Sequence, residues 1–194
     1  MTTIKPAEGD ALIVVDVQND FLPGGALAVP DGDEVIAPLN HVLEIFHTRG
    51  LPIFATRDWH PENHCSFQAQ GGPWPPHCIA GSDGAQFPAR LALPAFTAII
   101  SKATTAEKDA YSGFEDTPLS MQLMMYGTKR VLVGGLATDY CVLNTVKDAL
   151  KNGFQVVLLR DAVRAVNVQP GDGDKALAEM RALGVTEVSS GDVQ

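Results

Sequence analysis

Cys141 follows a strand-like run and a glycine pair, at the point where a helical pattern begins. The run starts at Val131, and Thr138 is a suitable N-cap for the helix beyond it. In the first turn of a helix, unpaired N–H groups and the helix dipole both favour a thiolate. The same N–H groups suit an oxyanion formed when that thiolate attacks a carbonyl. The position fits a cysteine nucleophile and a buried structural cysteine about equally well.

Two residues of opposite charge follow other apolar runs. Asp16 comes after residues 11–15, and Lys102 comes after residues 96–101. A carboxylate at a buried rim needs a partner, and this one could accept the proton of a thiol. The lysine would keep the carboxylate ionised and offset negative charge. The residue types alone fit a catalytic trio of Asp16, Lys102 and Cys141 about as well as a simpler interpretation, in which Asp16 is a cap and Lys102 extends to solvent.

A third group combines a carboxylate with imidazoles. Asp58 and His60 are two positions apart at the end of a predicted strand, so their side chains can point to one side. With a later histidine they form a set suited to Zn²⁺, Fe²⁺ or Mn²⁺, and His64 and His77 both compete for the third position. A cysteine follows each of these two histidines, which suggests a closed structural zinc site. This alternative is weaker, because neither cysteine has a second cysteine at the Cys-x₂₋₄-Cys spacing usual in such sites.

The elements that carry these residues alternate between strand and helix. Strands are predicted at 11–17, 51–56, 95–101, from 131 to the glycine pair, at 154–159 and at 185–188. Helices are predicted from a cap at Asp31 or Asp33 to Gly50, over 118–126 after Thr117, beyond Thr138, and from Asp172 or Asp174 through Ala182. No regular element is evident over 57–94, and a loop of that length in a compact domain is usually functional.

This alternation predicts an α/β fold with three layers, α/β/α, in which helices cover both faces of a six-stranded, mostly parallel sheet. Ligands in such folds bind beyond the carboxyl ends of the strands, where Asp16, Asp58, Lys102 and the turn before Cys141 all fall. We expect residues 1–194 to form one domain, with a metal and substrate loop at about 57–94.

Composition narrows the choice of partners. The formal net charge of −9 argues against nucleic acid and anionic membranes. No apolar run approaches the roughly 20 residues of a membrane span, and the N-terminal residues lack a signal-peptide core. Three cysteines without disulfide spacing predict a reduced, cytoplasmic setting. The sequence leaves both a monomer and a homo-oligomer open.

Five segments stand in order along nearly the whole chain. They are DVQNDF at 16–21, RDWHP at 57–61, GGPWPPHC at 71–78, DAYSGF at 109–114 after Lys102, and GLATDYC at 135–141. Together they resemble the nicotinamidase (pyrazinamidase) branch of the isochorismatase-like cysteine hydrolases. Five segments in register are far more specific than any one of them alone.

The resemblance implies a role for each matching residue. It implies a catalytic triad of Asp16, Lys102 and Cys141, and one divalent metal ion on Asp58, His60 and His77. It puts His64 near the site, against metal-bound water or the pocket wall. Phe21 and Trp74 match aromatic walls around a pyridine ring, with Tyr111 and Ala137 nearby. The family pattern also implies a cis peptide bond at Leu136–Ala137, and an oxyanion hole made by the amides of Ala137 and Cys141.

The implied activity is hydrolysis of nicotinamide to nicotinate and ammonia through a thioester, as part of NAD salvage. Pyrazinamide would give pyrazinoate in the same way, and the ring nitrogen of either substrate would bind at the metal. One alternative is a sibling amidohydrolase for a carbamoyl or ureido compound, which the metal set and the Trp74 segment disfavour. Another is a non-catalytic nucleotide-binding module, but the chain lacks Gly-x-Gly-x-x-Gly at its first turn and has no phosphate-binding loop.

Overall fold

A computed structural model describes residues 3–194 of the chain. In this part of the chain six strands form one sheet, in which every pairing between strands is parallel and the order is β3-β2-β1-β4-β5-β6. The strands are β1 (Asp10–Val15), β2 (Ile53–Asp58), β3 (Ala98–Lys102), β4 (Arg130–Leu136), β5 (Gln155–Arg164) and β6 (Thr186–Val188). The predicted six-stranded α/β fold is therefore confirmed.

The central strand β1 is buried along its whole length. Its residues are almost all apolar because a parallel sheet with helices on both faces leaves no side of the strand in water. The fifth strand runs to Arg164, beyond the predicted end at 159. The register shifts between Val133 and Gly135 of β4, because their partners Leu158 and Val163 lie five positions apart on β5. The extra residues therefore bulge from β5, and its second half pairs with the last residues of β4.

Within residues 3–194, four α-helices cover the sheet. They are α1 (Ile36–Thr48), α2 (Leu119–Met125), α3 (Leu143–Lys151) and α4 (Asp172–Ala182). The apolar stripe of α1 packs on one face of the sheet, and α2, α3 and α4 pack on the other. The buried residues of α1 are Ile36, Leu39, Val42, Leu43 and Phe46, which belong to the predicted inner face.

The helix ends match the predictions only in part. A short 3₁₀ turn over Gly32–Val35 precedes α1, so neither predicted aspartate caps it. At the other end Gly50 has a φ of +64°, a left-handed conformation that suits the predicted glycine. The cap position of α2 is Pro118 rather than Thr117, although the Thr117 hydroxyl accepts a hydrogen bond from the N–H of Leu119 at 3.3 Å. The last helix begins at Asp172, as predicted.

The long connection between β2 and β3 contains one short helical turn, at Gln68–Gln70. It is nevertheless packed, because Cys78, Ala85 and Leu91 are buried in the same apolar cluster as α1. From β1 the chain moves outward to β2 and β3, then returns on the other side of β1 as β4. Such a reversal opens a crevice beyond the carboxyl ends of the two central strands. Within residues 3–194, no helix is long and apolar enough to cross a membrane.

Candidate active site

The crevice between β1 and β4 holds a buried cluster of charged side chains and one thiol. The Nζ atom of Lys102 lies 3.0 Å from Asp16 Oδ2 and 3.4 Å from Cys141 Sγ. It also forms an ion pair with Asp58 and donates a 3.1 Å hydrogen bond to the carbonyl of Ala110. Lys102 is only 1% exposed. The structure therefore brings together the three residues of the predicted triad.

The backbone around Asp16 explains how its side chain enters the cluster. Asp16 has a φ of +47°, and its N–H donates a 3.2 Å hydrogen bond to the carbonyl of Thr56 on β2. The hydroxyl of Thr56 in turn donates a 2.6 Å hydrogen bond to Asp16 Oδ1. On the other side, a Cβ atom at Gly135 would lie 2.1 Å from the carbonyl oxygen of Val15. Glycine is therefore required where β4 passes the end of β1.

The turn that carries Cys141 differs from the predicted one. Thr138 does not cap the helix: Ala137 is the boundary residue, and Thr138–Val142 forms a single π-helical turn before α3. The N–H groups of Tyr140 and Val142 both donate to the carbonyl of Ala137. The peptide bond at Leu136–Ala137 is cis, as the resemblance implied. Cys141 thus stands in a widened first turn, where π-helical geometry is frequent at functional sites.

Cys141 is buried, and burial raises the pKa of its thiol well above the usual value. The Lys102 ammonium opposes this rise, whereas the negative charge of Asp16 adds to it. Burial therefore opposes the thiolate that a helix terminus alone would favour. The reason is that desolvation disfavours the charged form more than the nearby dipoles and ammonium favour it.

The charged groups around the thiol have opposite shifts. Burial raises the pKa of Asp16, with partial opposition from Lys102 and the Thr56 hydroxyl. Burial acts in the same direction on Asp58, but Lys102 and His60 outweigh it and hold the pKa of Asp58 below its usual range. Burial alone would lower the pKa of Lys102, but the two carboxylates outweigh it and keep the ammonium charged. Asp16 is therefore the better proton acceptor of the two carboxylates.

Beside this cluster, Asp58, His60 and His77 can hold a divalent cation. Their potential ligand atoms all lie within 4.8 Å of one another, and all three residues are buried. The Nδ1–H groups of His60 and His77 donate to the carbonyls of Ala103 and Pro75, at 3.1 and 2.8 Å. Each Nε2 atom is then available as a ligand, the arrangement typical of metal-binding histidines.

The pKa values of the two histidines fit this assignment. Burial lowers the pKa of His77, which favours the neutral, ligating form. Burial also acts to lower the pKa of His60, but its hydrogen bond and charge interaction with Asp58 outweigh burial and raise it. The carboxylate of Asp58 therefore favours a positive charge near the Nε2 atom of His60, and a bound metal cation would supply that charge in place of a proton.

A second acidic group, Asp16, Asp58 and Cys141, also has its potential ligand atoms within 4.8 Å of one another. The ammonium of Lys102 contacts all three side chains. The ammonium already balances the negative charge of this group, so we assign the metal cation to the histidine-containing set alone.

His64 lies next to the metal-ligand set without joining it. Its ring stacks on His60 at a centroid distance of 4.1 Å. Its Nδ1 atom accepts hydrogen bonds from the hydroxyl and N–H of Ser66, and its Nε2–H donates to the carbonyl of Lys108 at 3.1 Å. Burial lowers the pKa of His64, which keeps the ring neutral. Because both ring nitrogens are engaged, His77 rather than His64 completes the set.

The alternative of a closed zinc site with cysteine ligands is not supported. Cys78 is completely buried in the apolar cluster under α1, and burial raises its pKa far above the usual range. Among residues 3–194, the groups suited to a metal contain neither Cys78 nor Cys65. Each of these cysteines instead remains a free thiol.

An apolar pocket opens between the thiol and the metal-ligand set. Phe21, Trp74, Tyr111 and Ala137, the four residues predicted to bind substrate, all line it, together with Asp58, His77 and Cys141. The indole N–H of Trp74 donates a 3.2 Å hydrogen bond to the hydroxyl of Tyr111. The pocket can therefore hold a flat ring with one edge at the metal-ligand set and the other near the thiol.

Sequence reasoning missed three residues that shape this site. Thr56 orients Asp16 through its hydroxyl. Gln18 is fully buried and makes hydrogen bonds to both the N–H and the carbonyl of Asp58, each at 2.8 Å. Tyr140 lines the pocket, with its ring 5.3 Å from that of Trp74. Gln18 and Tyr140 stand inside two of the five segments, so their position was a usable signal, whereas Thr56 gave none.

Comparisons with known proteins give consistent results. Residues 10–192 match the isochorismatase domain family. Nicotinamidase from Escherichia coli is 41% identical over 197 residues, covering 91% of this chain and 92% of that protein. The structure of pyrazinamidase from Pyrococcus horikoshii in complex with zinc has a TM-score of 0.90 and 52% identity, covering 93% of this chain and 99% of that one. PnC1 from L. infantum in complex with nicotinate has a TM-score of 0.91 and 41% identity, covering 99% and 98%.

Proposed function

The chain belongs to the isochorismatase family, and we propose that it is a metal-assisted cysteine amidohydrolase that converts nicotinamide to nicotinate and ammonia. The observation that carries this proposal is the position of Lys102, whose ammonium contacts both Asp16 and Cys141 beside an aromatic pocket. Pyrazinamide, with a ring of the same size, fits the same pocket and would give pyrazinoate. The reaction returns the pyridine ring to NAD salvage.

In the proposed first step, Asp16 removes the thiol proton of Cys141 as the sulfur attacks the carboxamide carbon. Two features of the cluster support this assignment: the carboxylate and sulfur lie within 4.8 Å of each other, and burial raises the pKa of Asp16. A base with a raised pKa accepts the proton more readily. Lys102 stays charged and stabilises the negative charge that passes between the carboxylate and the sulfur.

The oxygen of the substrate carboxamide becomes negative in this step. The N–H groups of Ala137 and Cys141 are the proposed donors, since both residues line the pocket at the start of the helical turn. N–H groups in a first helical turn lack intrahelical acceptors and are available for an oxyanion. A donor fixed in place before the reaction stabilises developing charge at no cost in reorganisation.

The second half of the reaction uses the same groups in reverse. Asp16 returns its proton to the amino group, the C–N bond breaks, and ammonia leaves a thioester on Cys141. A water molecule then loses a proton to Asp16 and attacks the thioester carbon, so that nicotinate leaves and the thiol is restored. One residue serves as acid and base in turn because its carboxyl faces the sulfur throughout.

The proposed cation is Zn²⁺, Fe²⁺ or Mn²⁺ on Asp58, His60 and His77, since one carboxylate with two imidazoles suits these ions. When bound, it would supply a Lewis acid that holds the ring nitrogen of the substrate. The residues of the pocket would do the remaining positioning: all four residues line it, so Phe21 and Trp74 would flank the ring, and Tyr111 and Ala137 would contact its edges.

Ammonia release from nicotinamide, pyrazinamide and a ureido amide tests the proposal in one assay. We expect turnover of the two ring amides, little from the ureido amide, and complete loss in Cys141→Ala. The matched control is Cys65→Ala, which removes a half-buried thiol away from the pocket and should retain activity. Preference for the ureido amide, or normal turnover by Cys141→Ala, would contradict the proposal.

A further inference from the structure

The carboxylate of Asp139 joins the turn of the nucleophile to a distant segment. Its Oδ1 atom accepts a 2.9 Å hydrogen bond from the N–H of Val166, and its Oδ2 atom accepts a 2.8 Å hydrogen bond from the N–H of Asn167. Asp139 stands two residues before Cys141, in the same π-helical turn. The mechanism described above makes no use of this carboxylate.

The segment that Asp139 holds has left the sheet. Arg164 makes the last pairing between β5 and β4, opposite Leu136, so the following N–H groups have no strand partner. Asn167 also has a φ of +53°, and its side-chain oxygen accepts a 2.8 Å hydrogen bond from the N–H of Gly173 at the start of α4. The carboxylate of Asp139 thus supplies the acceptors that the backbone lacks between β5 and α4.

The held segment forms part of the pocket. The half-buried side chain of Val166 lines it together with Ala137 and Cys141, and packs against the apolar cluster under α1. Val166 thus forms one wall of the pocket, and strand pairing does not hold this wall in place. Its distance from the sulfur is set by a side chain that belongs to the same turn as the sulfur.

We propose that Asp139 is a positioning residue for substrate specificity, because it fixes the Val166 wall relative to Cys141 and so limits the width of the ring pocket. The inference rests on the proposed function, and it deepens it: the preferred substrates are amides of unsubstituted six-membered rings. A ring that carries an extra methyl group would press on Val166, and the two hydrogen bonds from Asp139 oppose the displacement.

The test compares Asp139→Ala and the milder Asp139→Asn with the wild-type protein. The matched control is Asp161→Ala, since Asp161 also accepts two hydrogen bonds, at 2.8 and 2.7 Å from the N–H and hydroxyl of Ser190. Asp161 does not line the pocket that contains Cys141. The control therefore removes a carboxylate that accepts two comparable hydrogen bonds, but from a part of β5 outside this pocket.

Three readouts are measured. Hydrogen exchange at the amides of Val166 and Asn167 should become at least ~10-fold faster in Asp139→Ala and stay unchanged in Asp161→Ala. With nicotinamide, KM should rise ~10-fold while kcat stays within ~3-fold, because the sulfur keeps its own contacts. The preference for nicotinamide over a ring-methylated nicotinamide should shrink ~10-fold, the size expected for one methyl group against a fixed apolar wall. Asp139→Asn, which keeps one acceptor, should lie between Asp139→Ala and the wild type.

Unchanged exchange at both amides would overturn the proposal, as would an unchanged preference between the two ring amides. A fall in kcat with constant KM would also overturn it, because Asp139 would then act on the sulfur and not on the wall. Failure of the proposed function gives a different result: the wild-type protein would release no ammonia from nicotinamide. In that case two results together would still support the inference. Exchange would be faster in Asp139→Ala, and the wild type, unlike this variant, would bind nicotinamide more tightly than its ring-methylated analogue.

Discussion

The Nζ atom of Lys102 lies 3.4 Å from the Sγ atom of Cys141, although the two residues come from strands that are not neighbours. Lys102 ends the edge strand β3, and β2 and β1 separate it from β4, which leads to Cys141. The lysine side chain therefore extends across the ends of two strands, each of which contributes one carboxylate to the ammonium. This arrangement makes the ammonium both a part of the site and a part of the fold.

Replacement of Lys102 by methionine should destabilise the protein and abolish turnover. The change leaves Asp16 and Asp58 buried without their common counter-ion, and removing one partner of a buried ion pair costs about 3–5 kcal/mol. Denaturant unfolding measures the loss, with Lys147→Met as control. Lys147 pairs with Glu179 on the surface, where an ion pair contributes at most about 1 kcal/mol. Equal destabilisation by the two variants would contradict the expectation.

The hydroxyl of Thr56 should matter for turnover more than its methyl group. Thr56→Val leaves Asp16 Oδ1 without its 2.6 Å donor, and an unsatisfied buried acceptor costs about 1–3 kcal/mol. We expect kcat/KM with nicotinamide to fall about 10-fold in Thr56→Val, because the carboxylate loses its orientation toward the sulfur. Thr56→Ser keeps the hydroxyl and should retain most of the activity. The expectation fails if the serine variant is as impaired as the valine variant.

The metal content should distinguish His77 from His64. His77→Ala removes a proposed ligand and should weaken cation affinity by at least about 100-fold. His64→Ala removes a ring whose two nitrogens are both bonded within the protein, so affinity should change by less than about 10-fold. Elemental analysis after dialysis against a chelator, followed by titration with Zn²⁺, gives both values. A larger loss in the His64 variant would reverse the assignment.

Trp74 and Tyr111 should act as a pair in substrate binding. Trp74→Phe and Tyr111→Phe each break the same 3.2 Å hydrogen bond between the two side chains. Each variant should raise KM for nicotinamide by about 3- to 10-fold, which corresponds to a hydrogen bond of about 1 kcal/mol. The double variant should be no worse than the worse single one, because contributions from contacting residues are not additive. Additive effects would mean that the hydrogen bond between the two side chains does not couple their contributions to binding.

Much of the fold follows from local pattern. Apolar runs such as residues 11–15 predict a strand buried on both sides, and the helical stripe at Leu39, Val42, Leu43 and Phe46 predicts which side of α1 faces the sheet. The predicted N-cap at Thr138 was wrong, because a residue suited to capping does not force a regular first turn. The extension of β5 to Arg164 was missed because the strand bulges after Leu158, and its continuation is defined only by pairing with Gly135 and Leu136 of β4.

The sequence by itself determined which residue types stand at the carboxyl ends of the strands, since strand, turn and residue identity are all local properties. It also determined the family, because five segments keep a fixed order along the chain. Tertiary structure decided that His77 and not His64 reaches Asp58, and that Lys102 supplies the charge between Asp16 and Cys141. It also decided that Asp139 holds the wall formed by Val166. These contacts join residues far apart in the chain, and they depend on strand order and side-chain direction, which no local pattern encodes.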